Sequence, residues 1–420
     1  MNFLSKLFNQ SRNSNYINLA FQKLSKETEV RKIFEAISEY SDFSELRYVG
    51  GCVRKIINNE IVDDIDLAVN LKPNEVSQAL KNNQIKYYES GIEHGTITAL
   101  INEKKFEITS LRKDVETDGR HAKIEFLTDW FEDASRRDFS INSIYADIDG
   151  NLYDPFNGKQ NIENGEIHFI GEEEKRIKED YLRIMRYVRF FLNYSKKNHD
   201  PNVLKIIKKN LNGISVISSE RLLDEFKKLV ESNGFIKLIN DKFCLEIINL
   251  IFPQFKNLNI LKNIKKEDIN KLDFIILLSA LIIDSSDNTE YFLYKFNLSK
   301  NDKKRILFLK KFYSQQVNKK TFSKENLWKV LYYNGKQNLN DLLNYQILQS
   351  KNNEKKFLEL CIFFNNKVSP KLPINANYLM NEFNISKGKE IGIKLRKIED
   401  KWISNNFKIS NKEIEKLILN

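Results

Sequence analysis

The uneven placement of glycine constrains the fold of this chain more than any other feature of its sequence. Nine of the 14 glycines lie between Gly50 and Gly171, and the remaining five follow them. Because glycine allows the positive φ of tight turns, we expect a turn-rich early part that contains a β-sheet. The later part is poor in Gly and Pro and rich in Leu, Ile, Phe, Lys and Glu, as stacked amphipathic helices are. The pattern predicts an α+β fold in which a sheet domain precedes an all-α part.

Composition narrows the class of protein. The net charge of +11 favours a polyanionic partner. Three widely spaced cysteines argue against a disulfide framework and against a Cys-rich zinc site, and they fit a reducing cytoplasm. The longest apolar run, residues 274–283, is too short to span a bilayer, and the N-terminus lacks a signal-peptide pattern. We therefore expect a cytoplasmic protein that does not enter a membrane.

Local patterns predict individual elements. Alternation of apolar and polar residues predicts strands at 46–50, 62–70, 95–101 and 104–112. Helical patterns lie at 14–40, 133–146 and 172–195, and Pro73 and Ser218 or Ser219 mark the starts of two more helices. The polar residues 113–125 predict a mobile loop.

Two glycines follow the first predicted strand in the order Gly50-Gly51-Cys52-Val53-Arg54. Such a turn lets the backbone approach a ligand, and a helix after it would present its positive end to a phosphate. The guanidinium of Arg54 could clamp the same phosphate. A tight strand-to-helix turn without a ligand explains the two glycines equally well. The chain contains neither a P-loop nor a dinucleotide-binding glycine motif.

Acidic residues cluster on the second predicted strand, where Asp64 and Asp66 share one face and the apolar residues between them take the other. Two carboxylates this close repel each other unless a cation lies between them, and Mg²⁺ prefers such ligands. Glu107, on a neighbouring predicted strand, could point at the same cations or be solvated. The alternative for the aspartate pair is an exposed acidic strand end.

Two further clusters combine arginine with aspartate. Arg136, Arg137 and Asp138 precede an apolar stretch and could hold a triphosphate and a ribose, although a surface ion pair has the same pattern. In the predicted helix 172–195, Asp180 and Arg183 lie on one side and could be an ordinary intrahelical ion pair.

In order along the chain, these motifs resemble the class II tRNA nucleotidyltransferase and bacterial poly(A) polymerase family. The resemblance covers about residues 46 to 230, and it rests on YVGGCVRK, DDIDLAV, HGTI, FEITSLR, DGRHAKIEF, RRDFSINSIY, LYDPFNG, EDYLRIMRYVRF and SSERLLDEF. It implies a head with a nucleotidyltransferase sheet like that of DNA polymerase β, followed by a helical neck, body and tail. The implied segments are an N-terminal helical extension at 1–30, a catalytic head at 31–160, a neck for base recognition at 161–230, a body at 231–340 and a tRNA-binding tail at 341–420.

The resemblance also implies roles for individual residues. Asp64 and Asp66 match the catalytic, metal-binding pair. The positions that bind the incoming nucleotide are matched by Gly51, Arg54, Arg137, Asp138, Asp180, Arg183, Arg186 and Arg189. Within that set Asp138 matches a ribose contact, and Asp180 and Arg183 match the pair that recognises the base. The chain has Lys55 where the family usually has Asp, which puts any supporting role of that position in doubt.

The implied activity is addition of C, C and A to the 3′ end of tRNA from CTP and ATP, by two-metal nucleotidyl transfer with Mg²⁺. The form His94-Gly95-Thr96-Ile97 resembles CCA-adding enzymes, whereas poly(A) polymerases have a basic segment there. Poly(A) addition and partial addition of CC or A alone stay open as alternatives within the family. A catalytically inactive RNA-binding module is a further alternative, against which the intact aspartate pair argues.

Overall fold

The computed structural model describes residues 3–118, 121–264, 272–314, 321–350 and 354–419. Their contacts divide the chain into two compact units, Met1–Leu238 and Ile239–Asn420. The first unit contains all the strands of the described residues, and the second is helical. The predicted α+β fold, with a sheet domain first, is therefore confirmed. No helix in the described residues is both long enough and apolar enough to cross a membrane.

The strands form one mixed sheet and one separate hairpin. They are β1 (Leu46–Val49), β2 (Asp66–Val69), β3 (Lys86–Gly91), β4 (Thr96–Ile101), β5 (Lys104–Ser110), β6 (Arg112–Asp118), β7 (His121–Phe126), β8 (Tyr145–Ala146) and β9 (Leu152–Tyr153). The seven-stranded sheet has the order β3-β4-β5-β2-β1-β8-β9, and β6 pairs with β7. Only the β2–β5 pair is parallel among these ladders. The four predicted strands are confirmed as β1, β2, β4 and β5.

The helices of the first unit lie before, within and after the sheet. They are α1 (Phe3–Thr28), α2 (Arg31–Ser38), α3 (Gly51–Ile57), α4 (Pro73–Asn82), α5 (Trp130–Ser135), α6 (Gly158–Asn164), α7 (Glu173–Glu179), α8 (Leu182–Tyr194), α9 (Pro201–Asn210) and α10 (Ser219–Val230). Pro73 opens α4 at its first position, where its missing N–H costs nothing. Ser218 caps α10 by accepting from the backbone N–H of Arg221, as the sequence predicted.

The second unit consists of helices around an apolar core. They are α11 (Lys242–Ile251), α12 (Phe274–Ile282), α13 (Asn288–Lys295), α14 (Lys300–Ser314), α15 (Lys324–Gln349, kinked at Gly335), α16 (Glu354–Asn365), α17 (Ala376–Phe383), α18 (Lys389–Ser404) and α19 (Asn411–Leu419). Arg305 on α14 links two neighbours, since it donates to Asp341 on α15 at 2.7 Å and to the α12 cap Asp273 at 2.8 Å. The long apolar run of α12 is buried in this core.

Two of the local predictions for residues 113–146 were wrong. Residues 113–125 form most of the β6–β7 hairpin instead of a loop, and Gly119 lies outside the described residues. Lys113 and Glu125 face each other across the two strands and pair at 3.0 Å, and opposite charges in such a cross-strand pair favour the ribbon. The helix predicted at 133–146 ends at Ser135, and a short 3₁₀ turn and β8 follow it. There Asp138 and Asn142 hydrogen-bond each other and nearby backbone, which competes with helix formation.

Candidate active site

The turn between β1 and α3 lies beside a carboxylate. Gly50 has φ 66° and ψ −112°, a conformation that requires glycine. A Cβ added to Gly51 would lie 3.7 Å from Oδ2 of Asp66 on β2. The backbone of this turn and the Asp66 carboxylate therefore face the same space, and a ligand that reaches one also reaches the other.

Three carboxylates converge next to that turn. The predicted strand 62–70 begins only at Asp66, so Asp64 precedes β2. Ile65 and Leu67 are buried, whereas Asp64 is exposed and Asp66 is half-buried. Asp66 is directly paired with Glu107 on the adjacent parallel strand β5. Burial, followed by the charges of Asp64 and Glu107, raises the pKa of Asp66 to about 6, against the lowering effect of nearby arginines. A cation among these oxygens would relieve the repulsion, so this donor set fits a hard divalent metal.

Arg54 is buried on the α3 side of the site. Its Nη1 donates to the side-chain oxygen of Asn142, and its guanidinium carbon lies 4.9 Å from the ring centre of Phe190. Within the described part of the chain its Nε is a buried donor without a hydrogen-bond partner. A buried donor of this kind is costly unless an acceptor reaches it. An anionic ligand oxygen would satisfy the Nε of Arg54.

Asp133 organises the arginine pair of the RRD motif, and the sequence analysis missed it. Its side chain is 1% exposed and accepts from Arg136 at 2.8 Å and from Arg137 at 3.0 Å. Tyr145 donates to it at 2.6 Å. Burial alone would raise the pKa of Asp133, but Arg137 and Arg136 hold it well below its usual range. An aspartate three and four residues before two arginines is the signal that could have identified it.

Asp138 connects the segment after α5 to helix α8. Arg186 donates to its Oδ2 at 2.6 Å, and Asn142 donates to its Oδ1 at 2.9 Å. Burial raises and Arg186 lowers the pKa of this carboxyl, and the result is about 2. The carboxylate is therefore ionised and already holds protein partners, and its predicted ribose contact stays a prediction.

Asp180 and Arg183 do not share one helix, which corrects the prediction of a single helix over 172–195. Helix α7 ends at Glu179, Asp180 is extended (φ −154°, ψ 104°), and α8 begins at Leu182. Oδ1 of Asp180 accepts from the backbone N–H of Leu182 at 3.1 Å. An aspartate favours such helix starts because its short side chain satisfies a free N–H. Arg183 points back toward the break and donates to Glu179 at 2.8 Å.

Three guanidinium groups surround one ring of α8. The guanidinium carbons of Arg54, Arg186 and Arg189 lie 4.9, 5.4 and 4.2 Å from the centre of Phe190. Arg189 also donates to the buried carboxylate of Glu225 on α10. The structure thus brings the predicted positions 54, 186 and 189 together around an aromatic ring. This concentration of positive charge suits a polyphosphate.

Lys55 lies next to the carboxylate cluster but pairs elsewhere. Its ammonium contacts the carboxylate of Asp63, the residue that immediately precedes the predicted metal-binding pair. The ion pair lowers the pKa of Asp63 against the opposing effect of burial. Lys55 is thereby occupied by a neighbour of the pair.

Comparisons with known proteins agree on one family. Residues 46–168 match the family described as the poly A polymerase head domain. The chain is 33% identical over 382 residues to CCA tRNA nucleotidyltransferase 1, mitochondrial, of Homo sapiens, covering 88% of this chain and 85% of the human protein. It is 30% identical over 385 residues to the CCA-adding enzyme of Staphylococcus epidermidis, covering 87% and 92%. The crystal structure of the Bacillus stearothermophilus CCA-adding enzyme in complex with CTP shares the fold, with a TM-score of 0.67, 19% identity and coverage of 92% and 95%.

Proposed function

The chain belongs to the family of CCA-adding tRNA nucleotidyltransferases, and we propose that it adds C, C and A to the 3′ end of tRNA without a nucleic-acid template. CTP and ATP are the substrates. The RNA 3′-hydroxyl gives up its proton and its oxygen forms a bond to the α-phosphorus. The bond from the α-phosphorus to the oxygen that bridges it to the β-phosphorus breaks, and pyrophosphate leaves with that oxygen. The observation that carries the proposal is the pairing of Asp66 with Glu107, beside Gly51, at a site where Arg137 and Arg54 act on the Asp66 carboxylate.

The family implies dependence on a divalent metal, and we propose Mg²⁺. Asp64 and Asp66 would hold it, and Glu107 adds a third carboxylate on the adjacent strand. When bound, a divalent cation supplies charge that stabilises the transferring phosphoryl group and the leaving pyrophosphate. The oxygen-only donor set favours magnesium over softer metals.

The arginines bind and orient the nucleotide in this proposal. The unpartnered Nε of Arg54 and the guanidinium groups of Arg186 and Arg189 around Phe190 offer donors to the triphosphate. Hydrogen bonds to Asp133 and Tyr145 fix Arg137 in place, so it presents its charge toward Asp66 without a further loss of side-chain conformational entropy. Positioning of this kind supplies much of the catalysis in nucleotidyl transfer.

Base selection falls to Asp180 and Arg183. Cytosine and adenine each present an amino donor beside a ring-nitrogen acceptor, whereas guanine and uracil present a carbonyl beside an N–H. A carboxylate next to a guanidinium complements the first arrangement and opposes the second. Arg183 already donates through Nη1 to Glu179 and to the Arg176 carbonyl, and through Nη2 to the Arg136 carbonyl. Its Nε–H and the second hydrogen of Nη2, together with Asp180 Oδ2 across the α7–α8 break, could present that pair.

A tRNA transcript that lacks its terminal CCA tests the proposal. The purified protein should extend it by three nucleotides when supplied with CTP, ATP and Mg²⁺, and sequencing of the product should show C, C and A. Long A-tails without CTP incorporation would instead support poly(A) addition. Binding of the transcript without any pyrophosphate release would support an inactive RNA-binding module.

We also propose a cytoplasmic location. The three cysteines, all within the described residues, are thiols and not disulfides, and a reducing compartment keeps thiols in that state. Fractionation of cells followed by immunodetection of the protein measures this directly.

A further inference from the structure

A cavity of about 450 Å³ opens in the second unit, within the size range of ligand pockets. It lies between the first turns of α15 and the chain that follows α18. Aromatic, lysine and polar side chains line it, namely Lys324, Glu325, Trp328, Pro370, Asn406 and Phe407. None of these residues belongs to the sequence motifs that carry the family resemblance. The cavity lies wholly within one unit, so its shape is defined by that unit alone.

The backbone at the edge of this cavity is held in an unfavourable conformation. Asn406 and Phe407 both have left-handed φ values, 55° and 61°, which are uncommon for a bulky residue such as Phe. A 2.8 Å hydrogen bond from the Phe407 N–H to the Trp402 carbonyl and an edge-to-face contact with that buried indole hold it there. Left-handed residues are common directly after a helix, and α18 ends at Ser404. Here this conformation holds the Phe407 ring in the wall of the cavity.

The rim of the cavity is positively charged. Lys324 and Lys367 both lie over the ring of Phe363, at 4.2 and 5.4 Å from its centre, and both are exposed. Lys408 follows Phe407 and is also exposed. The lining itself contains one cation, Lys324, and one acidic side chain, Glu325, so the excess of positive charge comes from Lys367 and Lys408 beside it. An aromatic cavity with cations at its edge complements a planar base attached to a phosphate.

We propose that this cavity binds one unpaired base of the RNA substrate. The base packs against Trp328 and Phe407, and Lys324 and Lys367 contact the flanking phosphates. Proteins recognise RNA mostly at loops and ends, where unstacked bases can pack on aromatic side chains. The proposal rests on the proposed function, because it takes tRNA as the RNA, and it adds a base contact in the second unit that is separate from the nucleotide site.

The affinity of the full-length protein for a tRNA transcript lacking CCA tests the proposal. Trp328→Ala and Phe407→Ala should each raise the Kd roughly fivefold or more, as expected for loss of base stacking. The rate at saturating transcript should be unchanged. Tyr294→Ala is the matched control, since that ring is 90% exposed in the same unit and lies outside the cavity, and its Kd should stay within about twofold of the parent. In Lys324→Gln, the slope of log Kd against log salt concentration should fall by about one, as expected for the loss of one phosphate contact.

Folded Trp328→Ala and Phe407→Ala variants with the parent Kd would overturn the cavity proposal, even if a protein or small molecule were found to bind there. If the alanine variants unfold, Trp328→Phe keeps the test decisive. Trp130 lies in the first unit and Trp402 is buried, so quenching of tryptophan emission by the transcript should shrink in Trp328→Phe. Unchanged quenching would also overturn the proposal. Failure of the parent protein to extend the transcript would contradict the proposed function instead.

Discussion

Arg221 donates a hydrogen bond of 2.7 Å to Oδ2 of Asp180, and thereby connects α10 to the residue that separates α7 from α8. Oδ1 of the same carboxylate accepts from the Leu182 N–H. Each carboxylate oxygen has two lone pairs, so both oxygens can still accept from a base. The carboxylate that we propose for base selection is therefore oriented from two directions before any nucleotide binds.

Replacing Asp180 should change which nucleotides are used. In Asp180→Ala, discrimination against UTP and GTP should decrease strongly, while affinity for the triphosphate should change less. The reason is that the variant lacks the carboxylate that opposes the carbonyl oxygens of guanine and uracil. Arg183→Ala should lower the use of both CTP and ATP. The measurement is kcat/KM for all four nucleotides with each variant. An equal decrease for all four in Asp180→Ala would mean that this residue only stabilises the start of α8.

Replacing Arg221 should weaken selection more mildly. A partly exposed ion pair contributes little energy, so Arg221→Ala should reduce the preference for CTP over UTP by about two- to fivefold. Arg221→Lys keeps the charge and should recover part of the preference. If Arg221 were purely structural, the alanine variant would have a lower melting temperature and kcat/KM would fall by the same factor for all four nucleotides. That result would contradict the positioning role.

Removing either aspartate of the pair should nearly abolish transfer. Asp64→Ala or Asp66→Ala should lower kcat on the order of a thousandfold or more, since each is expected to anchor the metal. Neither change should reduce thermal stability, because each relieves repulsion among the carboxylates. Asp63→Ala is the matched control, as this adjacent aspartate pairs with Lys55 and should leave most activity. Near-normal turnover by a folded Asp66→Ala would place the metal elsewhere.

Sequence patterns predicted those parts of the site whose structure is determined by residues close together in the chain. The glycine turn and the alternation around Asp66 depend on neighbours in the chain, and both are confirmed in position. The spacing of Asp133 from Arg136 and Arg137 is a local signal, but its burial depends on Tyr145, which joins it only when β8 takes its place in the sheet. The break at Asp180 was missed because the polar and apolar pattern continues through it, while the cap to Leu182 replaces the helical hydrogen bonds.

Asp133 should matter for both stability and nucleotide binding. Asp133→Ala leaves buried donors of Arg137 and Tyr145 without their acceptor, and should lower the free energy of unfolding by about 3–5 kcal/mol. Asp133→Asn keeps the shape and should chiefly raise KM for CTP, because Arg137 loses its charged anchor. Asp129→Asn is the control, since it keeps the cap of α5. Denaturant unfolding and steady-state kinetics measure the two effects, and an unchanged KM in Asp133→Asn would exclude the positioning role.

Replacing Gly95 of the HGTI motif should destabilise the protein for two separable reasons. Its φ is 78°, and an added Cβ would lie 2.8 Å from Cε1 of Phe126 at the end of the β6–β7 hairpin. Gly95→Ala should therefore destabilise the protein by about 1–3 kcal/mol and increase proteolysis within the hairpin. Adding Phe126→Leu to Gly95→Ala removes the contact but not the backbone strain, so it should restore only part of the stability. Thermal unfolding of the parent, both single variants and the double variant separates the two terms. Full stability of Gly95→Ala would show that this turn tolerates an L side chain and that the hairpin is anchored elsewhere.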